Sequence, residues 1–75
     1  MKIHDFIIKI SEQFEETDPS IFSPNTKFKT LDEWSSMIAL SIIAMCDDEF
    51  GKELSGEDIR SSETIQELFD ILIGR

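Results

Sequence analysis

Few side chains in this sequence are of a type that does chemistry. Ser35 and Ser36 stand where a helix is predicted to begin, and a hydroxyl there ordinarily accepts a hydrogen bond from a first-turn amide. Cys46 falls on a predicted apolar helix face, where a free cysteine usually acts as a small hydrophobic residue. His4 has no serine or cysteine partner at a known spacing and is read as a surface residue. These residues alone predict no catalytic site.

An acidic stretch after residue 46 offers oxygen ligands of the kind that divalent cations prefer. It contains Asp47, Asp48, Glu49, Glu53, Glu57 and Asp58. A calcium-binding loop needs glycine at its sixth position, and Lys52 stands there instead. We therefore interpret the stretch as a solvated acidic face and predict no metal site.

Length and charge exclude several classes of function. The chain has 75 residues, 16 of them acidic and 7 basic, for a formal net charge of −9. A chain of this length forms one domain, residues 1–75, with one small core and little room for a deep catalytic cleft. The acidic balance disfavours nucleic acid, whose phosphates bind Lys and Arg, and favours basic protein partners. We expect a monomeric domain that is not an autonomous enzyme.

The expected compartment follows from cysteine usage and from hydropathy. Cys46 is the only cysteine, so no disulfide can form within the chain, and the first residues lack the apolar run of a signal peptide. No apolar stretch reaches the roughly 20 residues that a membrane-spanning helix needs. We expect a soluble, reduced, cytoplasmic protein without a membrane partner.

Apolar spacing predicts an all-α fold, a small bundle of three main helices and a short third helix. The first helix is predicted over residues 2–16 and ends before Pro19. A long loop follows to about residue 33, and four apolar side chains are expected to fix it to the core: Phe22, Phe28, Leu31 and Trp34.

Capping residues place the other helices. The second begins at Ser35 or Ser36 and continues to about Phe50, with Gly51 as its stop signal. A capping box over residues 55–58 starts the short third helix, which carries Ile59. Residues 61–63 are predicted to cap the last helix, which ends near Gly74. Its shared apolar face consists of Ile65, Leu68, Phe69 and Leu72.

The second helix is apolar on nearly every side. The predicted core stripe consists of Ala39, Ile42, Ile43, Cys46 and Phe50. Apolar residues extend the surface round both flanks, with Met37, Leu40 and Ala44 on one side and Ile38 and Met45 on the other. A bundle of this size cannot easily bury every side of one helix. Two interpretations stay open: the extra apolar residues pack against the long loop, or they form a docking patch with an acidic rim. The rim would contain Asp32, Glu33, Asp47, Asp48 and Glu49.

Residues 31–37, with the sequence LDEWSSM, resemble the acyl carrier protein family, in which an Asp-Ser-Leu or Asp-Ser-Met sequence at the start of the second helix carries 4′-phosphopantetheine on its serine. The resemblance extends over essentially the whole chain, including the sequence DEFG at the close of the second helix. Ser36 matches the modified serine. One departure is Ser35, where the family usually has aspartate.

The resemblance implies that this chain carries the acyl group and that other proteins catalyse the reactions. Ser36 would accept the arm from coenzyme A in a separate phosphopantetheinyl transferase, and acyl groups on the arm would be delivered to acyl-transferring, condensing or ligating enzymes with basic docking surfaces. The partner-facing residues would be Met37, Leu40, Ala44, Asp47 and Asp48. An acyl chain would lie near Ile43, Cys46 and Phe50.

Two alternatives remain at this level. The cargo of fatty-acid, polyketide or related biosynthesis could be replaced by an aminoacyl or peptidyl group, because cargo is determined by the partner enzymes. The chain could also be an unmodified helical interaction module that has the carrier fold and uses only the acidic, apolar second helix.

Overall fold

The computed structural model describes all 75 residues. It contains four α-helices and no strand, which confirms the all-α prediction. The helices are α1 (Ile3–Ser11), α2 (Ser36–Phe50), α3 (Gly56–Ser61) and α4 (Ile65–Ile73). Two single 3₁₀ turns, Pro19–Ile21 and Phe28–Thr30, lie in the long connection between α1 and α2. None of the helices has the length and apolarity needed to cross a membrane.

The core lies where α1, α2 and α4 meet. Phe6 of α1, Ile42 of α2 and Leu68 of α4 are all fully buried. The Phe6 ring centroid lies 5.5 Å from that of Phe69 and 6.2 Å from that of Phe50. Tilted aromatic pairs at these separations add stability beyond that gained from burying their apolar surface. The three helices are therefore joined by one group of phenylalanine rings.

A second aromatic group fixes the long loop. The ring centroids of Phe14 and Phe22 are 5.1 Å apart, and the Trp34 ring lies 6.3 Å from Phe14 and 5.4 Å from Phe28. Phe22 and Phe28 are buried, and Leu31 and Trp34 are half-buried against the core. The prediction that these four side chains fix the loop is confirmed.

The loop also supplies hydrogen-bond acceptors for two backbone amides at the start of α4. The Ile65 amide donates to the Thr26 carbonyl at 3.2 Å, and the Gln66 amide donates to the Pro24 carbonyl at 2.9 Å. First-turn amides have no partner within their own helix. These two hydrogen bonds therefore hold the middle of the loop against α4.

The first helix is shorter than predicted. It ends at Ser11, not near residue 16, because the hydrogen bonds that follow span three residues, as in a 3₁₀ turn. The Gln13 amide donates to the Ile10 carbonyl, and the Phe14 amide donates to the Ser11 carbonyl. The Ser11 hydroxyl also donates to the Ile8 carbonyl at 2.7 Å. Phe14 lies beyond the end of the helix but is still buried in the core, which explains why it fits the apolar spacing of a longer helix.

The cap of the last helix is Thr64, and the prediction that residues 61–63 provide it is wrong. The Thr64 hydroxyl accepts from the Glu67 amide, and the Glu67 carboxylate accepts from the Thr64 amide, which completes a capping box. Ser62 is buried and donates to the Asp58 carbonyl at 2.9 Å, so it serves the end of α3. The predicted capping box at the start of α3 and the buried face of α4 are confirmed.

The buried face of α2 is rotated relative to the prediction. Ile42 and Cys46 are fully buried as expected, but Ile38 and Met45, predicted as a flank, are buried as well. The other predicted members of the core stripe, Ala39, Ile43 and Phe50, are half-buried. Since the helix is apolar almost all round, its sequence could not specify which sector faces the core.

A lysine links the loop to the short third helix. The Lys29 ammonium donates to the carbonyls of Ile59 at 2.9 Å and Arg60 at 2.8 Å at the end of α3, where the Ile59 carbonyl also accepts from the Ser62 amide at 3.3 Å. We expect Lys29→Met to lower the free energy of unfolding by about 1 kcal/mol, because the methionine keeps the side-chain length and removes the donor. Urea denaturation measures this, with Lys27→Met as the exposed loop control. Equal losses in the two variants would contradict the role of Lys29.

Acid should lower the free energy of unfolding, because two carboxylates accept hydrogen bonds from backbone amides in the folded state. The amides of Ser55 and Glu63 are the main causes that lower the pKa values of Asp58 and Glu67. A lowered pKa contributes stability above the ordinary carboxyl value of about 4, and that stability is lost as the pH falls through the lowered value. We expect Glu67→Gln to make the free energy of unfolding less dependent on pH below about 4 than in the wild type. Urea titrations across this range test it, and identical slopes would contradict it.

Candidate functional site

The two serines at the start of α2 have different roles. Ser35 is the N-cap, with extended backbone angles (φ −157°, ψ 169°), and its hydroxyl accepts from the Ile38 amide at 3.3 Å. Ser36 is the first helical residue and is exposed. Because Ser35 provides the cap, the Ser36 hydroxyl is not needed for it. An accessible hydroxyl is therefore presented at the positive end of a 15-residue helix.

The chain before Ser35 is held by contacts on both sides of the loop. Trp34 packs between Phe14 and Phe28, and its amide donates to the Leu31 carbonyl at 3.0 Å. The neighbouring Glu33 carboxylate accepts from the Thr17 hydroxyl at 2.7 Å and from the Glu16 amide at 3.0 Å. The Thr17 hydrogen bond is the main reason that the pKa of Glu33 is lowered. These contacts fix the position from which α2 begins.

An apolar strip runs along α2 from Ser36. Met37 is 71% exposed and Leu40 is 61% exposed, and Ala44 is exposed one turn further on. Ser36, Leu40 and Ala44 are spaced by four residues and share one side of the helix, away from the buried face. The extra apolar residues on this flank therefore do not pack against the loop, and the interpretation that they do is wrong for Met37 and Leu40.

Acidic side chains close the strip at its far end. Asp47 and Asp48 are exposed and belong to no ion pair, and Asp47 lies about 16 Å from Ser36 along the helix axis. Both lie in the last turn of α2, where the helix dipole disfavours negative charge. The first turn of α2 has no acidic residue and the last turn has no basic residue. This charge distribution opposes helix stability, so helix stability does not explain it.

A surface cleft of about 330 Å³ lies beside the strip, between α1 and α2. Its lining includes Ala44 and Asp48 from the strip, together with Lys9, Glu12 and Ser41. The Lys9 ammonium lies 3.2 Å from the Glu49 carboxylate, and this hydrogen bond is the main cause that raises the pKa of Lys9. Lys9 cannot be recognised from the sequence, because Glu49, the partner that places it, is 40 positions away in the chain.

The residues predicted to surround an acyl chain lie on the inner side of α2. Cys46 is fully buried, and burial raises the pKa of its thiol to about 12. Ile43 and Phe50 are half-buried and pack against the core. The three surface clefts of the protein are lined by other residues. The structure contains no group of three or more His, Cys, Asp or Glu side chains that could hold a metal ion.

No protein-family model, curated protein or solved structure matches this chain.

Proposed function

We propose that this chain is an acyl carrier protein that is modified with 4′-phosphopantetheine on Ser36. The observation that carries the proposal is the pairing of an accessible, cap-independent hydroxyl with an exposed apolar strip on the same side of α2. A surface serine needs no neighbouring strip, and an apolar strip needs no serine at its end. A carrier needs both, because another enzyme must dock on the chain while it reacts at the serine.

The residues present fit attachment of the arm. The Ser36 oxygen would form a bond to the β-phosphorus of coenzyme A, the phosphoanhydride bond would break, and 3′,5′-adenosine bisphosphate would leave with the electron pair. The serine proton would pass to a base of the transferase. The positive end of the α2 dipole favours the negative phosphodiester that results, and no acidic residue in the first turn opposes it.

The remaining residues of the strip suit docking of the partner enzymes. Met37 and Leu40 supply apolar area, and the unpaired Asp47 and Asp48 complement basic side chains. Placing two carboxylates at the unfavourable end of a helix is understandable if they bind a partner. The attached arm supplies a thiol that holds acyl groups as thioesters, and catalysis belongs to the docked enzymes.

Intact mass spectrometry tests the proposal. The protein is incubated with coenzyme A, magnesium and a broad-specificity phosphopantetheinyl transferase, and a peptide digest then locates any modification. We expect one phosphopantetheine per chain on the peptide that contains Ser36. No gain in mass, with the helical circular dichroism intact and a known carrier modified in the same mixture, would contradict it.

The second candidate is the unmodified interaction module. Ser35 favours it, because a serine stands where the resembling family usually has aspartate and serves only as the cap. The two functions predict opposite results in the same mass measurement. An aminoacyl cargo is a variant of the first function and would be recognised by which enzyme loads the arm.

A further inference from the structure

We infer that Glu33 is a positioning residue for the modification of Ser36; this inference rests on the proposed function. The Glu33 carboxylate lies three positions before the serine and takes no part in the bond to phosphorus. It acts by joining the start of α2 to Glu16 and Thr17, so that the Ser36 hydroxyl is held at a fixed position while the transferase reacts with it.

One oxygen of the Glu33 carboxylate receives two hydrogen bonds from the other end of the long loop. Oε1 accepts from the Thr17 hydroxyl at 2.7 Å and from the Glu16 amide at 3.0 Å. The two donors stand 16 and 17 positions earlier in the chain, so a single side chain closes a large loop. Hydrogen bonds to an ionised acceptor are shorter and stronger than those between neutral groups. The carboxylate therefore restricts the segment that leads into α2.

The residues around the reacting hydroxyl have no buried side chain of their own. Ser35, Ser36 and Met37 are consecutive and all exposed, whereas the middle of α2 is held by side chains buried in the core. On the side that precedes the helix, the nearest held residues are Glu33, through its two hydrogen bonds, and Trp34, through its ring contacts. Fixing the backbone at these two residues limits where the Ser36 hydroxyl can lie.

Removal of the carboxylate should slow attachment without weakening docking. In Glu33→Ala both hydrogen bonds are lost, and a displacement of about 1 Å at a reacting atom can slow a reaction about a hundredfold. The strip that meets the transferase belongs to a helix that the core holds separately. We expect kcat for attachment to fall about tenfold, with KM for this chain unchanged. Intact mass against time, at several concentrations of the chain and saturating coenzyme A, measures both constants.

Two substitutions separate positioning from charge and from general loosening of the loop. Glu33→Gln keeps an acceptor oxygen and removes the negative charge, so it should restore most of the wild-type kcat. An effect of charge would instead leave Glu33→Gln as slow as Glu33→Ala. Lys29→Met removes the contacts of the same loop to α3 and should keep the wild-type kcat.

Thr17 supplies an independent test from the other side of the contact. Thr17→Val removes the hydroxyl donor and keeps the shape of the side chain, so kcat should fall. The loss should be smaller than in Glu33→Ala, because the Glu16 amide still donates. Combined with Glu33→Ala, Thr17→Val should cause no further loss, since the two residues belong to one hydrogen-bond network. Additive losses would show that the contact between them is not the cause.

Different results contradict the role of Glu33 and the proposed function. No gain in mass by the wild type contradicts the proposed function, and the role of Glu33 with it. A modified wild type whose kcat is matched by folded Glu33→Ala overturns only the role of Glu33. A raised KM at unchanged kcat, or an equal loss of kcat in Lys29→Met, does the same. Circular dichroism at the assay temperature shows which variants are folded, and Thr17→Val decides if Glu33→Ala is not.

Discussion

Replacing Ser36 by alanine is expected to abolish the gain of phosphopantetheine completely, because only this hydroxyl can form the bond to phosphorus in the proposed reaction. The helix should survive the change, since it is the Ser35 hydroxyl, not that of Ser36, that accepts the capping hydrogen bond from the Ile38 amide. Intact mass measures the loss, and circular dichroism shows that the variant is folded.

Two other serines of the same helix region serve as matched controls. Ser35→Ala should lose about 1 kcal/mol of stability with its cap yet still gain the arm. Ser41→Ala changes an exposed serine further along α2 and should alter neither property. Modification that persists in Ser36→Ala, or that disappears in a folded Ser35→Ala, would contradict the assignment of Ser36.

Replacing Phe6 by alanine is expected to lower the free energy of unfolding by about 3–5 kcal/mol. Phe6 is fully buried and contacts aromatic rings of two other helices, so the change removes apolar burial and leaves a cavity among them. A 75-residue domain has a total stability of roughly 4–11 kcal/mol, so the variant should be close to unfolding. Urea denaturation followed by circular dichroism measures the change.

Ile8 provides the control for Phe6. It lies on the same helix, is 42% exposed, and should cost no more than about 0.5 kcal/mol when replaced by alanine. Similar losses at the two positions would show that the phenylalanine group does not hold α1 to the rest of the core.

The second helix was predictable from the sequence because both of its ends are determined locally. The Ser35 hydroxyl accepts a hydrogen bond from the first-turn amide of Ile38. Gly51 adopts the left-handed backbone conformation (φ 63°), which residues other than glycine rarely adopt after a helix. These two features depend on neighbours in sequence, so the pattern of residues contains them. The sequence left open whether Met37 and Leu40 pack against the loop, and the structure shows both side chains exposed.

The remaining errors concern choices that tertiary contacts decide. Ser61, Ser62 and Thr64 all have hydroxyls suited to capping, and Ser62 is excluded only because it is buried and bound to the Asp58 carbonyl. The link from Lys29 to the end of α3 joins residues about thirty positions apart. Local patterning contains no information on such pairs.

The buried thiol of Cys46 makes the protein a reporter of its own unfolding. It is the only cysteine, it is fully buried, and its pKa of about 12 leaves almost no thiolate at neutral pH. The thiolate is the nucleophile that attacks alkylating reagents, so Cys46 reacts only in molecules that have opened. The rate of labelling therefore measures how often the core is exposed, without added denaturant, and a thiol introduced on the surface would be alkylated long before Cys46.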